Sequence, residues 1–133
     1  MKILIDTNVL ISAALFPGSV SALAVETVMK NPSEVILCDY VLKEMREVFI
    51  RKFPLKISAL NSFINMISET VEIVEMPDTE EKYCIRDIKD EPILAAAVFY
   101  GSDVILTGDR DFAAVIMERP LVLTPGEYLR VIL

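Results

Sequence analysis

The chain has 133 residues, a hydrophobic share of 53% and a formal net charge of −7, and it contains no histidine. The length is that of one domain, and the apolar share is enough for a buried core, which excludes an intrinsically disordered chain. Without histidine there is no Ser-His-Asp or Cys-His nucleophile system, no imidazole base and no histidine zinc site.

Residues 2–5 form an apolar run that ends at Asp6 and reads as a buried strand. A turn and a short helix follow over 8–15, closed by Pro17-Gly18. Ser19 is placed to cap the next helix, in which Val20, Leu23, Ala24 and Val28 share one face, and Asn31-Pro32 ends it. Residues 34–38 (EVILC) read as a second buried strand. Asp39 then caps a helix running to about Lys52, with Val41, Leu42, Met45, Val48 and Phe49 as its apolar stripe. Pro54 opens another helix, with Ile57, Leu60, Phe63, Ile64 and Ile67 on its face.

Residues 71–74 are a third strand, stopped by Pro77. The polar stretch 78–90 leads to a helix from Glu91-Pro92, where proline suits the first turn. Residues 103–107 (DVILT) are a fourth strand, followed by Gly108 and a short helix from Asp109. Residues 121–123 are a fifth short strand before a closing helix at 126–132. Strands that alternate with helices, and that are apolar on both faces, predict one α/β domain over residues 1–133. Its architecture is three layers, α/β/α, around a mostly parallel sheet of four to five strands.

Cys38 and Cys84 are too few and too far apart for a disulfide scaffold or a CxxC motif, and both read as buried, inert thiols. A reducing compartment fits them. The longest apolar run, 93–100, falls well short of the roughly 18 residues of a membrane span. The opening MKILIDTNVLISAALF imitates a signal peptide, but Asp6 and Asn8 interrupt it. The expectation is a mature fold in the cytoplasm with no membrane partner.

Ligands of an open parallel sheet bind beyond the carboxyl ends of its strands. Asp6 follows the first strand directly, and Asp109 and Asp111 follow the fourth after Thr107-Gly108. Asp90 lies at a helix start, where the dipole favours an anion, with Asp87 and Glu91 as alternatives for that acid. Glu44 lies early in the helix after the second strand. Each acid alone has an ordinary structural reading, as strand end, solvated helix face, N-cap or turn. Carboxylates that converge repel one another, and a hard divalent cation, Mg²⁺ or Mn²⁺, removes that cost. Two such ions support phosphodiester hydrolysis, a chemistry that needs no histidine.

The opening ILIDTNVLISA resembles the start of a PIN domain, a family of metal-dependent ribonucleases, and DEPILAAAVFYGSDVILTGDRDF resembles the second half of one. The resemblance spans essentially the whole chain. It implies a catalytic acidic set of Asp6, Glu44, Asp90 and Asp109, with Asp6, Asp90, Asp109 and Asp111 toward metal. Thr7 and Asn8 then shape the first turn, and the Thr107 hydroxyl holds a ligand or a water. The resemblance further implies RNA as substrate and Mg²⁺ or Mn²⁺ as cofactor. Many small members of the family are VapC-like toxins of toxin–antitoxin pairs, commonly dimeric and silenced by a small partner protein.

A net charge of −7 opposes a polyanion. Positive charge is nonetheless concentrated at Lys43, Arg46, Arg51, Lys52 and Lys56, and Arg86 and Arg110 lie near the acids in sequence. Arg46 and Arg110 are expected to assist substrate binding. No interleaving of aromatic and basic residues marks a stacking platform, so RNA binding is expected to be weak and to need metal. The apolar content fits a further buried interface, either a homodimer or a groove covered by an antitoxin. Two other readings stay open, a PIN-like scaffold without activity and a receiver-type phosphoacceptor. Against the receiver, no Asp-Asp pair ends the first strand, and Thr124-Pro125 stands where Lys-Pro would close the last. A phosphatase would need an Asp-x-Asp nucleophile, which Asp6-Thr7-Asn8 does not supply.

Overall fold

The computed structural model describes residues 1–77, 91–108 and 120–132. Five strands make one sheet: β1 (Ile3–Ile5), β2 (Val35–Cys38), β3 (Ile73–Val74), β4 (Val104–Leu106) and β5 (Leu121–Leu123). Their spatial order is β3-β2-β1-β4-β5, and every neighbouring pair is parallel. Among the described residues six helices connect and cover them: α1 (Thr7–Leu15), α2 (Val20–Val28), α3 (Asp39–Lys52), α4 (Ile57–Thr70), α5 (Glu91–Phe99) and α6 (Pro125–Ile132). Every residue of β1, β2 and β4 is buried, which requires cover on both faces of the sheet and gives the three-layer α/β/α arrangement. Leu4, Ile5, Leu37 and Ile105 from the sheet meet Leu10, Met45, Phe49, Ile67 and Leu94 from the helices in one core. Among the described residues no single helix is long and apolar enough to cross a membrane.

The strand order decides against the receiver reading. Receiver-type sheets run 2-1-3-4-5, whereas this one runs 3-2-1-4-5, with its reversal between β1 and β4.

Local chemistry sets the element ends. Asp6 caps α1, so the helix begins at Thr7 with no intervening turn. Ser19 caps α2 as expected, its hydroxyl accepting from the Ala22 amide at 3.1 Å. Asp39 does not cap α3. It is the first helical residue, and its Oδ1 accepts from the Met76 amide at 3.0 Å, tying α3 to the exit of β3. Pro54 opens a short 3-10 turn, Pro54–Lys56, and α4 starts after it. The third strand is only two residues long because Val71 still closes α4, its amide donating to the Ile67 carbonyl at 2.9 Å. Gly101, at φ 69°, takes the left-handed conformation that ends α5. Thr124 and Glu127 form a reciprocal capping box for α6, amide to carboxylate at 3.1 Å and amide to hydroxyl at 3.2 Å. The polar stretch 78–90, the expected helix from Asp109 and Cys84 lie outside the described residues.

Cys38 is a buried free thiol, and its burial pushes its pKa up from 9.0 to about 11. The folded chain therefore keeps this proton at pH values where the unfolded chain has lost it. The stability this contributes is intact below about pH 9 and is lost as pH rises towards about 11. Relative to Cys38→Ala, the native protein is expected to lose about 2 kcal/mol between pH 8 and pH 10.5. Urea denaturation of both proteins at the two pH values measures this difference, and parallel pH profiles would contradict the assigned cause.

Candidate active site

The strand order reverses between β1 and β4, and the carboxyl edge at such a reversal is the usual ligand position in these sheets. Ile5 pairs with Leu106, so the residues that follow, Asp6 and Thr107, leave the sheet side by side. The Asp6 amide donates to the Leu106 carbonyl at 2.9 Å, and the Thr107 amide donates to the Leu123 carbonyl at 2.9 Å. Their side chains meet as well: the Thr107 hydroxyl donates to Asp6 Oδ2 at 2.6 Å. The other carboxylate oxygen, Oδ1, accepts from the Thr7 amide at 2.7 Å and completes the cap of α1. Asp6 and Thr107 are each only 1% exposed. One carboxylate thus ends a strand, caps a helix and sits buried at the positive end of the helix dipole.

The other expected residues fall into three groups. Thr7 is buried, and its hydroxyl has no hydrogen-bond partner among the described residues, while Asn8 beside it is exposed. Glu44 is half-buried on α3 and accepts from the Tyr40 hydroxyl at 3.3 Å. Arg46 is exposed, and its guanidinium reaches across to Asn61 Oδ1 on α4 at 3.4 Å. Lys43, Arg51, Lys52 and Lys56 are also exposed. Asp87, Asp90, Asp109, Arg110, Asp111 and Arg86 lie outside the described residues, and Glu91 opens α5.

Sequence reasoning did not single out Tyr40 or Tyr100. Tyr40 stands four residues before Glu44, the spacing at which helical neighbours meet. The Tyr100 hydroxyl donates to the Glu75 carbonyl at 2.6 Å and, with Asp39, fixes the exit of β3. Burial first, then the nearby charges of Cys38, Glu75, Asp39 and Glu72, holds the Tyr100 phenol above its ordinary pKa. No sequence pattern marks this long-range contact.

Among the described residues no group of three or more acids, cysteines or histidines converges on a metal position. What the expected residues supply, among those described, is hard oxygen: a buried carboxylate, an unpartnered buried hydroxyl and a half-buried glutamate on α3. That donor set suits Mg²⁺ or Mn²⁺, not a soft metal.

A family model described as PIN domain matches residues 2–111. Among solved structures, the chain is similar to a chain of VapBC2 from Rickettsia felis, solved bound to a DNA fragment from their promoter. The TM-score is 0.69 at 16% identity, covering 93% of this chain and 98% of that one. It is also similar to VapC20 of Mycobacterium tuberculosis, described as a sarcin-ricin loop cleaving toxin. There the TM-score is 0.60 at 16% identity, covering 86% of this chain and 97% of that one. No curated protein matches the sequence significantly. At 16% identity these structural likenesses speak to the fold.

The Thr107–Asp6 contact is a buried hydrogen bond to a carboxylate. Thr107→Val keeps the side-chain shape and removes the donor, and is expected to cost about 1.5–3 kcal/mol. Thr107→Ser is expected to keep most of that stability. Urea midpoints of the three proteins check this, and a Val variant as stable as native would refute the role given to the hydroxyl.

Proposed function

The chain belongs to the PIN domain family, and we propose that it is a divalent-metal-dependent endoribonuclease, the toxin of a toxin–antitoxin pair. The observation that carries this reading is the buried Asp6 carboxylate, held by Thr107 where the strand order reverses. A carboxylate in that position without function is an expensive way to cap a helix.

In this reading Asp6, Asp90 and Asp109 hold Mg²⁺ or Mn²⁺, with Asp111 beside them and Glu44 completing the catalytic acids from α3. The ion, when bound, supplies water activation and charge stabilisation at the leaving oxygen. The chain's own residues do the rest. The Thr107 hydroxyl and the Thr7 amide fix the Asp6 carboxylate in one orientation. Asn8 is exposed at the first turn of α1, open to a substrate. Exposed Lys43 and Arg46 flank Glu44 on α3 and offer phosphate contacts, and Arg110 is assigned the same task. RNA is the expected polymer and the cytoplasm the expected location.

A protein partner is supported by the other side of the molecule. An apolar groove of about 600 Å³ runs between α1, α2 and α4, lined by Ala13, Pro17, Val25, Met29, Phe63 and Met66. Phe16, Val20 and Leu23 are more than half exposed beside it on the α1–α2 pair. A surface of this kind calls for cover. We assign it to a small antitoxin, and a homodimer is expected to use another face.

Purified protein is expected to cleave a mixed RNA pool with Mg²⁺ or Mn²⁺, to stop with chelator, and to lose at least about a hundredfold in rate in Asp6→Asn. Equal rates in native and Asp6→Asn preparations would mean a contaminant or a misplaced site. For the partner, co-expression with the product of a short adjoining reading frame is expected to silence cleavage. Met66→Arg, at a half-exposed position in the groove, is then expected to restore it without loss of stability. Unchanged silencing in Met66→Arg would place the partner elsewhere.

A further inference from the structure

We propose that the Thr7 hydroxyl is a further oxygen donor to the hydrated divalent cation of the Asp6 site, an inference that rests on the metal-dependent reading above. Among the described residues two buried side-chain oxygens lack any hydrogen-bond partner, Thr7 Oγ1 and Ser102 Oγ. Folded proteins rarely leave such groups unpaired, and each one marks a missing water or ion or a functional atom. The two lie at opposite ends of the sheet. Ser102 precedes β4 at the amino edge, and Thr7 follows Asp6 at the carboxyl edge.

Helical threonines elsewhere in the chain satisfy themselves. Thr27 donates back to the Leu23 carbonyl at 2.8 Å, and Thr70 to the Ile67 carbonyl at 3.2 Å. Thr7 is the first residue of α1 and has no preceding helical turn whose carbonyl it could take. It is also close to the acid. The Thr7 amide lies 2.7 Å from Asp6 Oδ1. Three covalent bonds separate that nitrogen from Oγ1, a span of at most about 3.7 Å. Oγ1 therefore falls within about 6.5 Å of the carboxylate oxygen, a distance that a single hydrated ion bridges. A valine would fill the same volume without stranding a hydroxyl. An acceptor brought by the ion's hydration shell, or direct contact with the ion, completes what the fold leaves open.

The test is Mn²⁺ binding to the intact protein by calorimetry, with melting temperatures measured without and with Mn²⁺. Four chains are compared with native: Thr7→Val, Thr7→Ser, Ser102→Ala and Asp6→Asn. Thr7→Val is expected to bind Mn²⁺ about tenfold more weakly, and to melt no lower than native without metal. Thr7→Ser and Ser102→Ala are expected to bind as native does. A Thr7→Val chain that binds Mn²⁺ as tightly as native overturns the proposal while leaving the metal-dependent reading intact. A Thr7→Val chain that melts lower without metal points to packing and overturns it too. Native protein that binds no more Mn²⁺ than Asp6→Asn overturns both.

Discussion

One contact organises this molecule: the Thr107 hydroxyl on the buried Asp6 carboxylate at 2.6 Å, joining residues 101 apart in sequence. An ionised carboxylate removed from water costs several kcal/mol unless donors surround it. Here the donors have separate origins. The Thr7 amide is local and comes with the start of α1, whereas the Thr107 hydroxyl arrives only when β4 pairs with β1. A slip of one residue between those strands would turn Thr107 to the other face and leave Asp6 Oδ2 without this donor. The site is thus a consequence of register. Register in turn is fixed by the core, because Leu4, Ile5, Ile105 and Leu106 are all fully buried and a slip would misplace every one of them.

The charge of the chain looks ill-suited to a polyanion, yet its distribution is not uniform. On α3 the half-buried Glu44 is flanked by the exposed cations Lys43 and Arg46, with Arg51 and Lys52 in the last turn. The helix thereby carries the half-buried Glu44 beside several exposed bases, with exposed Glu47 among them. Lysine and arginine at its carboxyl end also complement its dipole. In the proposed reading the acids serve the cation and the exposed bases serve the phosphates. The apolar groove between α1, α2 and α4 carries little charge, with Glu26 and Lys30 among its lining, so a partner proposed for it would bind by apolar burial.

Much of the fold was legible because its causes are local. Uninterrupted apolar runs marked β1, β2, β4 and β5, and the 3.6-residue stripe of Val41, Met45 and Phe49 marked α3. Ser19 was readable as a cap because a hydroxyl before an apolar helix has one common use. The misread details turn on contacts that the residue pattern does not show. Asp39 looked like a cap, but the Met76 amide, 37 residues away, claims its carboxylate. The third strand looked longer because nothing local says that Val71 still belongs to the last turn of α4. For the site, an acid interrupting an apolar N-terminus was enough to single out Asp6. Pattern alone gave Thr107 only a supporting place, and its contact with Asp6 follows from the pairing of Ile5 with Leu106. The unpartnered state of the Thr7 hydroxyl is a fact of three-dimensional packing that no spacing encodes.

Asp6 holds the fold together and carries the proposed chemistry, and the two roles separate at the level of single atoms. Capping needs only an acceptor oxygen toward the Thr7 amide, which an asparagine supplies about as well as an aspartate. The second oxygen faces the Thr107 hydroxyl, and a hydroxyl that donates to a carboxylate turns to accept from an amide nitrogen. The contacts with the Thr7 amide and the Thr107 hydroxyl therefore survive the loss of charge at Asp6. What does not survive is the negative charge itself, held in a buried position. These two contacts need an oxygen at this position, and the charge is what the proposed cation would use.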